Sequence, residues 1–148
     1  MTAVADLTWP QARGRAGRLL VVPLGATEQH GPHLPLSTDT DVAVAVAARL
    51  AARRREVDVA PAVPYGASGE HAGFPGTLSI GQQALELLLV ELVRSATGTW
   101  PRVLLLSAHG GNAAPLRRAV ATLRAESRDV RAWSPGWRGD AHAGRTET

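Results

Sequence analysis

The chain has 148 residues, enough for one domain that buries roughly two-thirds of its extended surface. It contains no cysteine, which excludes disulfides, iron–sulfur clusters and thiolate zinc sites and leaves histidine and carboxylate as the strong metal ligands. All sixteen basic residues are arginine and the formal net charge is only +3, while one phenylalanine, one tyrosine and four tryptophans are too few to interleave with arginine as a single-strand nucleic-acid binder requires.

Met1-Thr2-Ala3-Val4-Ala5-Asp6 is neither basic nor followed by an apolar core segment, so it does not read as a signal peptide. No apolar run approaches the roughly 20 residues of a membrane span. The expectation is a cytoplasmic protein with neither membrane nor nucleic acid as a partner. Arg53-Arg54-Arg55 and Arg117-Arg118 fall at the end or on the outer face of predicted helices and read as solvated charge.

Arg18-Leu19-Leu20-Val21-Val22-Pro23-Leu24 reads as a buried strand, and Glu28-Gln29-His30-Gly31-Pro32-His33 lies on the loop leaving its C-terminal end. Ser37-Thr38-Asp39 then offers capping side chains for a helix whose apolar pattern, Val42, Val44, Val46, Ala47 and Leu50, continues to about Arg54. Glu56-Val57-Asp58-Val59-Ala60 with Val63 makes a short second strand. Residues 65–77 are loop chemistry with four glycines, and a loop that long inside a compact domain is usually functional.

A helix starts at Ser79 or a neighbour, where Leu85, Leu88, Leu89, Leu92 and Val93 repeat at helical spacing. The third strand, Arg102 to Ser107, runs into His109-Gly110-Gly111-Asn112, where the glycines allow a sharp turn and Asn112 can cap a helix from Ala113 to about Glu126. A fourth strand, Val130 to Trp133, precedes the irregular residues 135–148. Strand alternates with helix throughout, which predicts an α/β architecture with a mainly parallel sheet.

In such a sheet, ligands bind beyond the C-terminal ends of the strands, so loops about eighty residues apart in sequence converge there. Glu28 and His30, two apart in an extended segment, point to the same side. With Asp39 and His109 they supply two carboxylates and two imidazoles, the material of a metal site. His33 is expected to orient a neighbour rather than bind an ion. Two ions roughly 3.5–4 Å apart lower the pKa of a shared water and polarise the carbonyl it attacks. Their four positive charges call for Glu28, Asp39 and a further carboxylate, Glu147 or Glu70. Asp140 and His142 are candidates for proton transfer to a leaving nitrogen. A Ser-His-Asp hydrolase using Ser68 or Ser107 is the competing enzyme reading, but neither serine sits in a G-x-S-x-G elbow, and there is no P-loop or G-x-G-x-x-G fingerprint.

Four blocks in order resemble the creatininase family of amidohydrolases. They are Leu24-Gly25-Ala26-Thr27-Glu28-Gln29-His30-Gly31-Pro32-His33-Leu34-Pro35-Leu36 with Asp39; Tyr65-Gly66 through Gly76-Thr77; His109-Gly110-Gly111-Asn112; and Asp140-Ala141-His142-Ala143-Gly144 followed by Glu147-Thr148. The resemblance implies a three-layer α/β/α sandwich, usually a homo-hexamer, hydrolysing C–N amide bonds with two divalent ions. It makes Glu28, His30, Asp39 and His109 metal ligands, with Asp39 the bridge. It also makes His142 the proton donor; Ser68, Glu70, His71, Trp137 and Asp140 are the expected substrate-binding set. Zinc, iron or manganese all suit such ligands.

In creatinine-hydrolysing members a glutamate lies two residues beyond the histidine matching His109. Here that position is Gly111, which suggests that Glu147 completes the second ion's shell as a further ligand and catalytic residue. The wording of residues 68–77 is most similar to the mycofactocin-associated subfamily, peptidases that remove a C-terminal Val-Tyr dipeptide from a modified precursor peptide. A small cyclic amide such as creatinine is the alternative substrate, and an inactive scaffolding paralogue the alternative class. Family members normally continue past the Glu147-Thr148 dipeptide, so residues 1–148 read as one creatininase-like domain cut short at its C-terminus.

Overall fold

Six residues, Leu19–Leu24, are buried along almost their whole length and form the central strand β2 of a five-stranded sheet in a computed structural model that describes residues 2–135. The strands are β1 (Thr2–Ala3), β2, β3 (Val57–Val59), β4 (Arg102–Ser107) and β5 (Asp129–Trp133), and the sheet order is β1-β3-β2-β4-β5. Every pairing is parallel, with Leu19 to Leu24 of β2 in register with Arg102 to Ser107 of β4. A parallel ladder needs a crossover between neighbours, and the helices supply it.

Alternation along β2 sends Leu20, Val22 and Leu24 to one face and Val21 to the other. On the first face, α3 (Gly81–Ala96) and α4 (Ala113–Ala125) pack through Leu85, Leu89, Val93, Leu116, Ala119 and Leu123. On the second, α2 (Thr38–Arg53) presents Ala43, Ala47 and Ala51, a small-residue stripe at helical spacing that lets it lie close to Val21, Val57 and Val59. The result is the expected three layers. The helices that follow β2 and β4 lie on opposite faces, so the crevice beyond these adjacent strands is the switch point where open α/β sheets bind ligands.

The N-terminal segment, unassigned in the sequence reading, forms β1 against β3 and the short helix α1 (Trp9–Arg13), which Thr8 and Gln11 close as a capping box. Its approach to the sheet is anchored by Asp58, fully buried in β3. Asp58 accepts from Arg18 Nε at 3.0 Å, Arg15 Nη1 at 3.3 Å and Trp100 Nε1 at 3.0 Å.

Two capping expectations are corrected. Ser37 occupies the N-cap of α2, but its hydroxyl donates to Asp41 rather than to the backbone. Asn112 stands at the start of α4 without capping it, because its amide is spent elsewhere. Residues 65–77 are mostly irregular, as expected, with one turn of 3-10 helix at Gly69–His71. Among the described residues no helix is long and apolar enough to cross a membrane.

Candidate metal centre

The exit of β2 turns at Gly25 directly against the first turn of α2. A Cβ at Gly25 would lie 2.4–2.5 Å from backbone atoms of Thr40, so only glycine lets the two segments meet. This approach puts Asp39, at the positive N-terminal end of α2, across from Glu28. Beyond β4, His109 leads into the turn before α4.

Asn112 holds these segments in place from below. Its Oδ1 accepts from Ala67 N at 3.0 Å, and its Nδ2 donates to Gly25 O at 3.0 Å and to Ser107 Oγ at 3.3 Å. One buried side chain thereby ties the β2 exit, the 65–77 loop and the end of β4 together. This role is hidden in the sequence, because Asn before a helix reads first as a cap.

Glu28, Asp39 and His109 meet in the crevice, each offering a ligand atom within 4.8 Å of the others. Glu28 is fully buried, and His109 and Asp39 nearly so. His109 Nδ1 lies 3.0 Å from Asp39 Oδ2 and 3.3 Å from Glu28 Oε1, while His30 Nε2 lies 3.0 Å from Asp39 Oδ1. Asp39 thus stands between two imidazoles, one on each oxygen.

The far nitrogens of both rings meet backbone carbonyls. His109 Nε2 faces Ala67 O at 3.2 Å, and His30 Nδ1 faces Glu28 O at 3.2 Å. A carbonyl only accepts, so each outer nitrogen carries a proton, and the inner nitrogen facing Asp39 is the one left for a cation to take. Backbone carbonyls behind both rings are what a metal-ligating histidine needs.

Both carboxylate oxygens of Glu28 and Oδ2 of Asp39 are buried without an aligned hydrogen-bond partner. Burial pushes the Glu28 carboxyl up, but contacts with His109 and Ser68 and the nearby imidazoles outweigh it and hold the group below its ordinary value. Burial also pulls His109 down, yet Asp39 and Glu28 reverse this and raise it to about 10. Without an ion the site therefore keeps a proton between two anionic oxygens. Such orphaned, anionic oxygens beside poised imidazoles fit a divalent cation.

A second group, Glu28, Glu70 and His71, also offers ligand atoms within 4.8 Å of one another. Glu70 is exposed, with Oε1 3.7 Å from His109 Nε2. Ser68 is fully buried beside Glu28, its hydroxyl without an aligned partner. At Gly111 a Cβ would meet Ala67 O at 2.3 Å, His109 Nε2 at 2.4 Å and Glu70 Oε1 at 2.6 Å. The 65–77 loop fills the room that a side chain at 111 would need.

The crevice thus assembles Glu28, His30, Asp39 and His109, flanked by Ser68, Glu70 and His71. His33 is exposed on the loop. Trp137, Asp140, His142 and Glu147 lie outside the described residues. Sequence reasoning missed Gln29, whose amide spans Gly31 N and His71 Nδ1.

Residues 5–148 match the family model of creatininase, described as creatinine amidohydrolase. The mycofactocin precursor peptide peptidase of Mycolicibacterium smegmatis is 56% identical over 137 residues, covering 88% of this chain and 55% of that protein. The creatinine amidohydrolase of Pseudomonas putida is 35% identical over 118 residues, covering 74% and 45%. A solved manganese form of creatininase superposes with a TM-score of 0.75 at 27% identity, covering 91% of this chain and 58% of that one. The chain spans about half the length of the curated relatives it matches. On the match across residues 5–148, the chain belongs to the creatininase family.

Proposed function

We propose that this chain carries the metal centre of an amide hydrolase, most specifically a peptidase removing the C-terminal Val-Tyr dipeptide from a modified mycofactocin precursor peptide. The observation that carries the metal reading is the set of orphaned oxygens: Glu28 Oε1 and Oε2 and Asp39 Oδ2, buried beside two imidazoles whose outer nitrogens are tied to carbonyls. The peptide substrate rests on the 56% identity to a protein of that name.

Glu28, Asp39 and His109 would hold one cation, and Asp39 with His30 a second, with Asp39 shared between them. Glu147 is our candidate for the remaining carboxylate, and Glu70, beside His109, is the alternative. When bound, zinc, iron or manganese would polarise the scissile carbonyl and bring an attacking water's pKa toward neutrality.

The chain's own groups supply the rest. Glu28 and Asp39 hold negative charge in a buried crevice, where its effect on a substrate is little screened. Ser68 and Glu70 line the approach and would contact the peptide. Trp137 and Asp140 extend this set, and His142 would protonate the leaving nitrogen so that it departs as a neutral amine. A homo-hexamer in the cytoplasm is the assembly and compartment that accompany this reading.

Incubation with a Val-Tyr-ending peptide beside creatinine tests the substrate. Release of Val-Tyr supports the proposal. Turnover of creatinine alone would transfer the chain to the cyclic-amide branch, and silence toward both with no bound ion would leave a scaffolding role.

A further inference from the structure

Three imidazoles surround Glu28 and Asp39, and one of them is turned the other way. The amide of Gln29 is oriented by the backbone: Gly31 N donates to Gln29 Oε1 at 2.9 Å, so the atom facing Gly31 must be the oxygen. The other end of that amide, Nε2, is a donor only, and it lies 3.0 Å from His71 Nδ1. His71 Nδ1 must therefore accept, which puts the ring proton on Nε2. That nitrogen points at Glu28 Oε1 from 3.5 Å.

His30 and His109 have carbonyls behind them and turn the other ring nitrogen to Asp39, whereas His71 has an amide N–H behind it and turns its protonated nitrogen to Glu28. Ligation would require His71 Nε2 to shed its proton, and Gln29 Nε2, a donor only, leaves no place for that proton on Nδ1. The trio Glu28, Glu70 and His71 thus lacks the imidazole lone pair that its spacing suggests. His71 is buried, with the Phe74 ring 6.1 Å away, so rotation out of this arrangement is obstructed.

We propose that His71, locked by Gln29, is a positioning residue whose protonated Nε2, 3.5 Å from Glu28 Oε1, steers that carboxylate toward the cation shared with Asp39 and His109, rather than a ligand or a substrate contact. The proposal rests on the metal reading above. It accounts for a fully buried carboxylate lying against an imidazole that a fixed amide orients, and it gives Gln29 a role through His71 and not through substrate.

The test uses the whole chain with histidine labelled by nitrogen-15. Long-range proton–nitrogen correlation spectra of the ion-free and zinc-loaded forms should show His71 as the Nε2–H tautomer in both, assigned by its loss in His71→Gln. An Nδ1–H tautomer, or a zinc-induced shift at His71 Nε2, would overturn the proposal. Calorimetric titration with Mn2+ supplies the second arm. His71→Leu should weaken Mn2+ binding by about 10–100-fold with the number of ions unchanged. His71→Gln, whose amide N–H can reach Glu28, should return affinity to within a few-fold of wild type. Gln29→Leu, which leaves the imidazole in place, should fall between them and mix the tautomers. Loss of one ion in both His71 variants would make His71 a ligand and overturn the proposal, as would unchanged affinity in all three. A wild-type chain that binds no Mn2+ would overturn the metal reading itself, while the tautomer decides the orientation of His71 independently.

Discussion

His109 donates through Nε2 to the carbonyl of Ala67 across 3.2 Å, and this contact leaves Nδ1 to face Asp39 and Glu28. The 65–77 loop therefore does more than border the crevice: its backbone decides which nitrogen of a histidine on another strand meets the acids.

That arrangement gives the ion-free protein a pH signature. Burial lowers His109, but Asp39 and Glu28 raise it from 6.5 to about 10. A folded value above the unfolded one stabilises fully below pH 6.5, and the stabilisation is lost as pH rises through 10. With no lysine or cysteine in the chain, few other groups titrate in that window. The stability gap between wild type and His109→Gln, from urea unfolding of the ion-free proteins, should narrow steadily from pH 6.5 to 10. A gap that stays constant would remove the proton from this position.

Asn112 makes three buried hydrogen bonds to three segments. Asn112→Ala strands Ala67 N and Gly25 O away from water, at a cost of about 2–4 kcal/mol. Denaturant unfolding should report that loss, together with weaker cation binding as the loops separate. A change below about 0.5 kcal/mol, the scale of an ordinary surface substitution, would contradict the role.

Gly111 is filled space rather than empty space. Gly111→Ala drives a methyl into Ala67 O and His109 Nε2, for which overpacking of about 1–3 kcal/mol is expected. Gly111→Glu, which restores the residue type of creatinine-hydrolysing relatives, should displace the loop rather than convert the enzyme. Unaltered thermal stability in both variants would show that the loop yields freely.

Asp58 sits toward the opposite edge of the sheet from the crevice and can be separated from it by mutation. Asp58→Ala leaves Arg15, Arg18 and Trp100 Nε1 without their shared acceptor, and because both arginines are partly exposed the expected loss is about 2–3 kcal/mol. Cation affinity should be unchanged in the folded fraction. A parallel loss of affinity would couple the two ends of the sheet.

Periodicity made the core elements legible. The apolar runs of β2 and β4 and the Leu85-Leu89-Val93 spacing of α3 follow from the pattern of apolar residues, whereas in α2 the buried stripe is Ala43, Ala47 and Ala51 and the expected Val44 is exposed, as is Leu88 of α3. Glu28, His30, Asp39 and His109 were legible as a group because each lies just beyond a strand or at a helix start. The rest was hidden for physical reasons. Asp58 draws its partners from forty residues away in sequence. Asn112 looks like a cap until its amide is traced to Gly25 and Ala67. Gln29 acts only through an imidazole on another loop. The edge strand β1 is two residues long, too short for any pattern.

Asp39 stands between two imidazoles, His30 and His109, one on each of its oxygens, and in the proposed centre it is shared by both cations. Metal analysis by mass spectrometry of dialysed wild type and Asp39→Ala, with circular dichroism to verify the fold, tests it most directly. The wild type should retain bound ions and a folded Asp39→Ala protein essentially none. Full metal content in that variant would contradict it.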